Sequence, residues 1–287
     1  MLEKLILGTV QLGLNYGINN FEGKPSLEKS LDILNMAYEN GIRILDTAEA
    51  YGNAHHLIRN YHKKKNKFKI ITKFPHDIKH NLIKIKVIEY LDLLCVKALD
   101  AIMFHSFDSF KSNYNSLNVL NELKSDGLIK NIGVSVYTNS QLESLLIEDL
   151  ITVVQLPFNM LDNFNVRGDL INKLKKKGKI IHTRSAFLQG LFFKKSSDDM
   201  SIVKALKSHL QKLKEITKKQ GCSMEELALS YCIHQKNIDN VIIGVDSISQ
   251  LNANIKACSY EINKEALKCI NNIHVKNLGL LNPSLWT

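Results

Sequence analysis

Proline is scarce in this 287-residue chain, with 4 residues, and Trp286 is the only tryptophan. That excludes collagen-like and proline-rich repeats, and no Pro- or Ser-rich stretch marks a linker. No apolar run approaches the roughly 18 residues of a membrane span. The stretch Met1 to Leu14 carries Glu3 and Lys4 and no long signal-peptide apolar region. The 5 cysteines (Cys95, Cys222, Cys232, Cys258, Cys269) are odd in number and contain no C-x-x-C pair. Most fall in apolar helical stretches, as buried free thiols in a reducing compartment do. A cytoplasmic globular protein without membrane contact is the expectation.

What is abundant is lysine, and the net charge is +10. A basic chain invites a nucleic-acid reading, but the distribution argues against it. The runs Lys63-Lys64-Lys65, Lys175-Lys176-Lys177 and Lys194-Lys195 are scattered, and no basic motif is interleaved with aromatics as RNA-binding surfaces require. Solvated helix ends explain the charge, and a basic surface would still draw in an anionic small molecule.

Short β-rich runs recur at Leu5–Leu7, Ile42–Leu45, Lys69–Thr72, Ala101–Phe104, Ile129–Val134, Thr152–Gln155, Lys179–Thr183 and Val241–Ile243. Segments of helical period separate them, for example Leu27, Leu31, Leu34 and Ala37. Two helices fit before the last run, Ser201–Lys219 and Ser223–Gln235. Ser26 is placed to cap the first helix, Ser223 with Glu226 makes a capping box, and Gly41, Gly127 and Gly178 stand where helices stop. Strands alternating with helices imply parallel pairing with right-handed crossovers. Eight such units without a linker predict a single domain over residues 1–287, an α/β fold closed as a (β/α)8 barrel, with extra helices at the C-terminus. No Gly-x-Gly-x-x-Gly follows a strand, which argues against a doubly wound dinucleotide fold.

Barrel function gathers at the C-terminal ends of the strands. The second run leads into Asp46 and Tyr51, the third ends at Lys73 and the fourth at His105. An acid, a phenol, an ammonium and an imidazole thus share one rim. An ammonium beside a phenol favours the phenolate and lowers its pKa, while a carboxylate keeps the lysine charged. A histidine there orients a carbonyl oxygen or relays a proton. Each residue alone is more often structural; four at successive strand ends point to chemistry.

These residues lie in stretches that resemble the aldo-keto reductase family. Leu7-Gly8-Thr9-Val10-Gln11-Leu12-Gly13 is similar to its first strand and turn, and Gly41 through Gly52 to its most specific motif. Lys130 through Ser135, Val154 through Asn159 and Val241 through Gly244 are similar to its fifth, sixth and eighth strands. The resemblance implies nicotinamide-dependent reduction of an aldehyde or ketone, or the reverse, with Asp46, Tyr51, Lys73 and His105 as the catalytic set and Tyr51 as general acid. It implies cofactor contacts from Gly8, Thr9, Ser135, Gln155, Arg184, Ser185, Phe187, Leu188, Gly190, Gly244, Ser247, Gln250 and Asn254. Phosphates would lie over the turn at 187–190 and the helix starting near Ser247.

The departures are informative. The hairpin that often precedes the first strand is missing. Arg184 stands where the family usually has an aromatic that stacks on the nicotinamide, and suggests a polar or anionic substrate, such as a sugar. Gln250 aligns with an arginine that many members place on the cofactor's 2′-phosphate, with Asp246 nearby. NADP(H) is nonetheless expected over NAD(H), with Lys256 or Lys276 available to substitute. The short segment after His105 predicts a shallow, open pocket. His76 and His80, and His55-His56 with His62, read as surface helical histidines without a third zinc ligand, so no metal is expected. Trp286 either covers the barrel mouth or anchors the tail. Two rival readings are a non-catalytic nicotinamide-binding regulatory subunit on the same fold and a Schiff-base enzyme using Lys73.

Overall fold

Eight parallel strands close in sequence order into a barrel, each paired with its chain neighbours and β8 with β1. The computed structural model describes residues 1–20, 22–195 and 197–286. The strands are β1 Leu5–Gly8, β2 Ile44–Asp46, β3 Lys69–Lys73, β4 Ala101–Phe104, β5 Ile132–Ser135, β6 Val153–Pro157, β7 Ile180–Arg184 and β8 Asn240–Gly244. Helices follow in the order α1 Val10–Gly13, α2 Leu27–Glu39, α3 Ala54–Lys64, α4 Ile83–Leu94, α5 Phe107–Ser112, α6 Leu117–Ser125 and α7 Asn139–Ser144. The remainder are α8 Phe164–Lys176, α9 Ser201–Ala205, α10 Lys207–Gln220, α11 Met224–Ile233, α12 Ile248–Ala257 and α13 Lys264–Asn271.

The alternation of side chains along each strand builds two apolar layers. Ile6, Ile71, Ala101, Met103 and Val153 point into the barrel, where Ile44, Ile180 and Ile242 pack on them. Leu5, Leu7, Ile70, Ile102 and Ile132 face outward onto the helices and join the larger core. Below the barrel, the chain enters β1 from a 3-10 turn, Leu2–Lys4, and no strand precedes β1 among the described residues. Lys4 Nζ donates to the carbonyls of Ile233, Gln235 and Ile238 there.

Helix punctuation follows the sequence closely. Ser26 Oγ accepts from the Lys29 amide, and Ser223 with Glu226 forms the full capping box. Gly41, Gly127 and Gly178 all have positive φ, and each ends its helix in the same way. Ile42 N bonds Ala37 O, Leu128 N bonds Leu123 O and Lys179 N bonds Leu174 O, the six-to-one closure of a Schellman motif.

Some expectations need correction. The helix expected over Ser201–Lys219 breaks at Leu206 into α9 and α10. The short segment after His105 carries a helix of its own, α5, which Ser106 caps through the Ser109 amide. His55 and His62 are buried rather than on the surface: His55 Nε2 lies 2.9 Å from Thr72 Oγ1, and His62 bridges Leu94 O and the Phe68 amide. His76 is exposed but lies in a turn rather than a helix. Cys232 and Cys258 are buried free thiols, whereas Cys95 and Cys222 are only half-buried and Cys269 is exposed. Trp286 Nε1 donates to Leu280 O, and the ring packs on the core as an anchor for the tail. Among the described residues no helix is long and apolar enough to cross a membrane.

Candidate active site

Strand register brings the acid, the lysine and the amide together at the upper rim. Gly8 stands beside Asp46 on β2 and Gly244 on β8, Lys73 beside Met103, and Ser135 beside Gln155. Asp46 is held from three sides. The Thr9 amide and Oγ1 donate to its backbone carbonyl. Lys73 Nζ donates to Oδ1 at 2.5 Å, and Gln155 Nε2 to Oδ2 at 2.8 Å. Lys73 also donates to the Thr47 carbonyl and is only 1% exposed.

Tyr51 is positioned by close backbone contact. A Cβ on Gly13 would lie 1.9 Å from the Tyr51 carbonyl, and one on Gly52 would lie 2.5 Å from the Gly13 carbonyl. Two glycines therefore let α1 sit against the turn that carries the phenol. The Lys73 ammonium lies 5.2 Å from the centre of the Tyr51 ring, and the His105 imidazole packs edge-on to it at 5.7 Å.

The electrostatics modify the expectation for Tyr51. Burial raises the phenol above its ordinary pKa; Lys73 pulls it down but does not win. Burial also opposes the Lys73 charge, yet Asp46 and the Tyr51 hydroxyl outweigh it and hold the ammonium above the usual lysine range. Tyr51 therefore keeps its proton and Lys73 its charge. His105 is pushed down to about 3, first by burial and then by Lys73, His76 and Arg184. Its imidazole is neutral at ordinary pH, its Nδ1 is buried without a hydrogen-bond partner, and the His76 ring stacks on it at 4.5 Å. His182, inside the barrel beside Gln155 in register, is likewise held down to about 4 by burial.

A cavity of about 390 Å³ opens over Tyr51 and runs outward across β8 to α12. Asp46, Tyr51, Gly8, Gln155, Arg184, Ser185, Phe187, Gly190, Gly244, Gln250 and Asn254 all line it. The other expected residues do not. Lys73 is buried behind Tyr51, and His105 packs on the ring. Ser135 is buried at the end of β5 and Leu188 in the core, Thr9 is spent on Asp46, and Ser247 Oγ caps α12 through the Gln250 amide.

Several lining residues carried no sequence signal. After α1 the chain crosses the cavity as a strap through Tyr16, Gly17, Asn19 and Asn20. The Ile18 amide donates to the Gln189 carbonyl, Gln189 Nε2 donates to the Tyr16 hydroxyl, and Asn19 approaches Gly190 so closely that a Cβ there would meet it at 2.7 Å. Beneath the strap, Ser185, Leu188 and Gln189 all adopt positive φ, a conformation costly for non-glycine residues. Arg184 lays its guanidinium over the Tyr137 ring at 4.1 Å and donates to the Val136 carbonyl. Its aromatic partner thus comes from the protein itself.

The cavity suits a nicotinamide dinucleotide. Gln11 Oε1 is buried in its wall without a hydrogen-bond partner, an acceptor left for a ligand donor. A Cβ on Gly244 would strike the Gln11 amide at 2.2 Å, so the bare backbone keeps that groove open. Among the described residues, no group of three or more His, Cys, Asp or Glu is placed to hold a metal.

Comparison with known proteins agrees with this geometry. A Bacillus subtilis (strain 168) protein described as the uncharacterized oxidoreductase YqkF is 24% identical, over 94% of this chain and 95% of its own length. The holo aldo-keto reductase AKR11C1 from Bacillus halodurans superposes with a TM-score of 0.77 at 20% identity, over 96% of this chain and 93% of that one. The glycerol dehydrogenase AKR11B4 from Gluconobacter oxydans gives 0.73 at 19% identity, with the same coverage. The profile of the Aldo/keto reductase family matches residues 4–274, and the chain is a member of that family, an oxidoreductase on a (β/α)8 barrel.

Proposed function

We propose that the protein reduces an aldehyde or ketone to the alcohol, or runs the reverse, with Tyr51 as the general acid. The observation that carries this is the Tyr51 phenol on the cavity wall, backed by the buried Lys73 ammonium paired with Asp46. A bound reduced nicotinamide supplies the hydride to the carbonyl carbon. Tyr51 Oη donates its proton to the carbonyl oxygen as negative charge develops there, and Lys73 stabilises the phenolate left behind until solvent returns the proton. Neutral His105, edge-on to the Tyr51 ring, carries no charge that would compete for the proton. Gln155 and Thr9 hold Asp46, and through it the lysine. The buried Ser135 and the cavity-lining Gln155 are assigned to the nicotinamide carboxamide.

Arg184 sets the substrate class in this reading. It is the only cation on the cavity wall among the described residues, and its field reaches Tyr51, Tyr16 and His105. Stacked on Tyr137, it keeps donors for a carboxylate or phosphate of a polar carbonyl compound. NADPH and NADH consumption over a panel of neutral and anionic aldehydes and ketones tests both assignments. Tyr51→Phe is expected to lower kcat by about 100-fold or more while leaving cofactor binding within about threefold of wild type. Full turnover in that variant would overturn the proposal. Arg184→Ala is expected to raise KM about tenfold or more for the anionic members alone; an equal change for neutral analogues would remove Arg184 from substrate recognition.

A further inference from the structure

The two ends of the cavity differ in charge. Among the described residues, four charged ones line it: Asp46, Arg184, Glu225 and Asp246. Asp46 is neutralised by Lys73, and Arg184 belongs to the end above β7. The other two lie where β8 runs into α12 and where α11 packs against α12. Neither Glu225 nor Asp246 is in an ion pair among the described residues. On α11, the neighbouring Glu226 is turned back to the Ser223 amide by the capping box, so Glu225 is the carboxylate of that turn that faces the cavity.

Part of what would welcome an anion at this end is already engaged. Gln250, in the position aligned with a phosphate-binding arginine, folds its Oε1 back onto the Asp246 amide at 3.1 Å. Its own amide is bonded to Ser247 Oγ. Two donors near the start of α12 are thus satisfied internally, which weakens the pull of that helix end on an anion. Lys256 and Lys276 are exposed and do not line the cavity. A 2′-phosphate bound here would bring up to two negative charges towards Glu225 and Asp246, with no cation lining this end among the described residues. A ribose 2′-hydroxyl is a neutral donor, the group that a carboxylate accepts from when a site selects the unphosphorylated dinucleotide.

We infer that the cavity takes NAD(H) in preference to NADP(H), the reverse of what the family resemblance suggests, with Asp246 and Glu225 as the specificity-determining residues. The inference rests on the oxidoreductase reading above.

Calorimetric titration of the full chain with NADH, NADPH, 5′-AMP and adenosine 2′,5′-bisphosphate tests it without turnover. NADH is expected to bind about tenfold or more tightly than NADPH, and 5′-AMP more tightly than the bisphosphate. Because the discrimination is charge repulsion, added salt should narrow the NADH-to-NADPH ratio. Asp246→Asn and Glu225→Gln should each raise NADPH affinity severalfold, and Gln250→Arg should raise it further, without a matching gain for NADH. NADPH binding as tight as NADH, or tighter, overturns this inference and leaves the reductase reading intact. Failure of both dinucleotides to bind overturns the two together.

Discussion

Exchanging Lys73 for methionine tests the buried pair on which the proposed acid depends. The ammonium and the Asp46 carboxylate meet at 2.5 Å, with side chains 1% and 4% exposed. At an effective dielectric of about 20 their attraction is roughly 7 kcal/mol, against a desolvation penalty of several kcal/mol for each ion. The pair is thus close to neutral in net worth, but either ion left alone keeps its penalty and loses its partner. Lys73→Met and Asp46→Asn are each expected to lower the free energy of unfolding by about 3–5 kcal/mol. The double variant removes both charges and should cost no more than either single one, a coupling of about 3 kcal/mol or more. Urea unfolding at pH 7 and fixed ionic strength measures all four corners of the cycle. The same exchange moves Tyr51 in a defined direction. Burial already holds its phenol above the usual range and Lys73 opposes that, so without the ammonium the phenolate should appear in ultraviolet difference spectra at still higher pH. Additive losses, with coupling below about 0.5 kcal/mol, or an unmoved Tyr51 titration, would refute the reasoning.

Two further outcomes follow from contacts outside the ion pair. Gly13→Ala places a Cβ 1.9 Å from the Tyr51 carbonyl, where backbone must move, so the variant should lose about 1–3 kcal/mol of stability and a larger share of kcat than of cofactor affinity; unchanged turnover would show that this contact does not position Tyr51. Acid should destabilise the fold through buried neutral histidines. Burial depresses the folded-state values of His55 and His182 to about 4, below the ordinary imidazole value. Their contribution is therefore complete above about pH 6.5 and declines as pH falls towards 4. Unfolding free energies measured between pH 6.5 and 5 should fall with a slope approaching about 1.4 kcal/mol per pH unit for each imidazole, and a flat profile in that window would contradict the burial argument.

Three strand starts were read too early from the sequence, and the reason is local. Ile42, Leu128 and Lys179 are apolar or follow a glycine, so they read as the first residues of strands or their approach. Each instead spends its amide on closing the helix before it, and β2, β5 and β7 begin at Ile44, Ile132 and Ile180, one to three residues later than the runs expected from Ile42, Ile129 and Lys179. Ile129 illustrates the compromise, forming only an isolated parallel bridge with Leu99. Hydrophobic pattern reports that a residue is buried, but cannot tell a helix closure from a ladder bond when both bury the same side chain. The helix break at Leu206 was hidden for a similar reason, since Ile202, Val203, Leu206 and Leu210 are buried on both sides of it.

The site divides along the same line. Asp46, Tyr51, Lys73, His105 and Gln155 stand at or just beyond strand ends, where the parallel register of a closed barrel compels neighbouring positions to meet, so their order along the chain was enough to assemble them. Tyr16, His76 and Glu225 arrive by routes that no period encodes: a strap folded over the cavity, a turn stacked on His105, and the first turn of a helix two elements before β8's own helix. Gln11 lay within a recognisable motif, yet its role as an unsatisfied acceptor depends on Gly244 leaving room across the barrel seam. The conflict over the cofactor has the same origin. Aligning Gln250 with a phosphate-binding position treats selectivity as the property of one residue, whereas the charge that a 2′-phosphate would meet is the sum over everything facing that end of the cavity. There Asp246 and Glu225 come from separate elements, and only the fold adds them together.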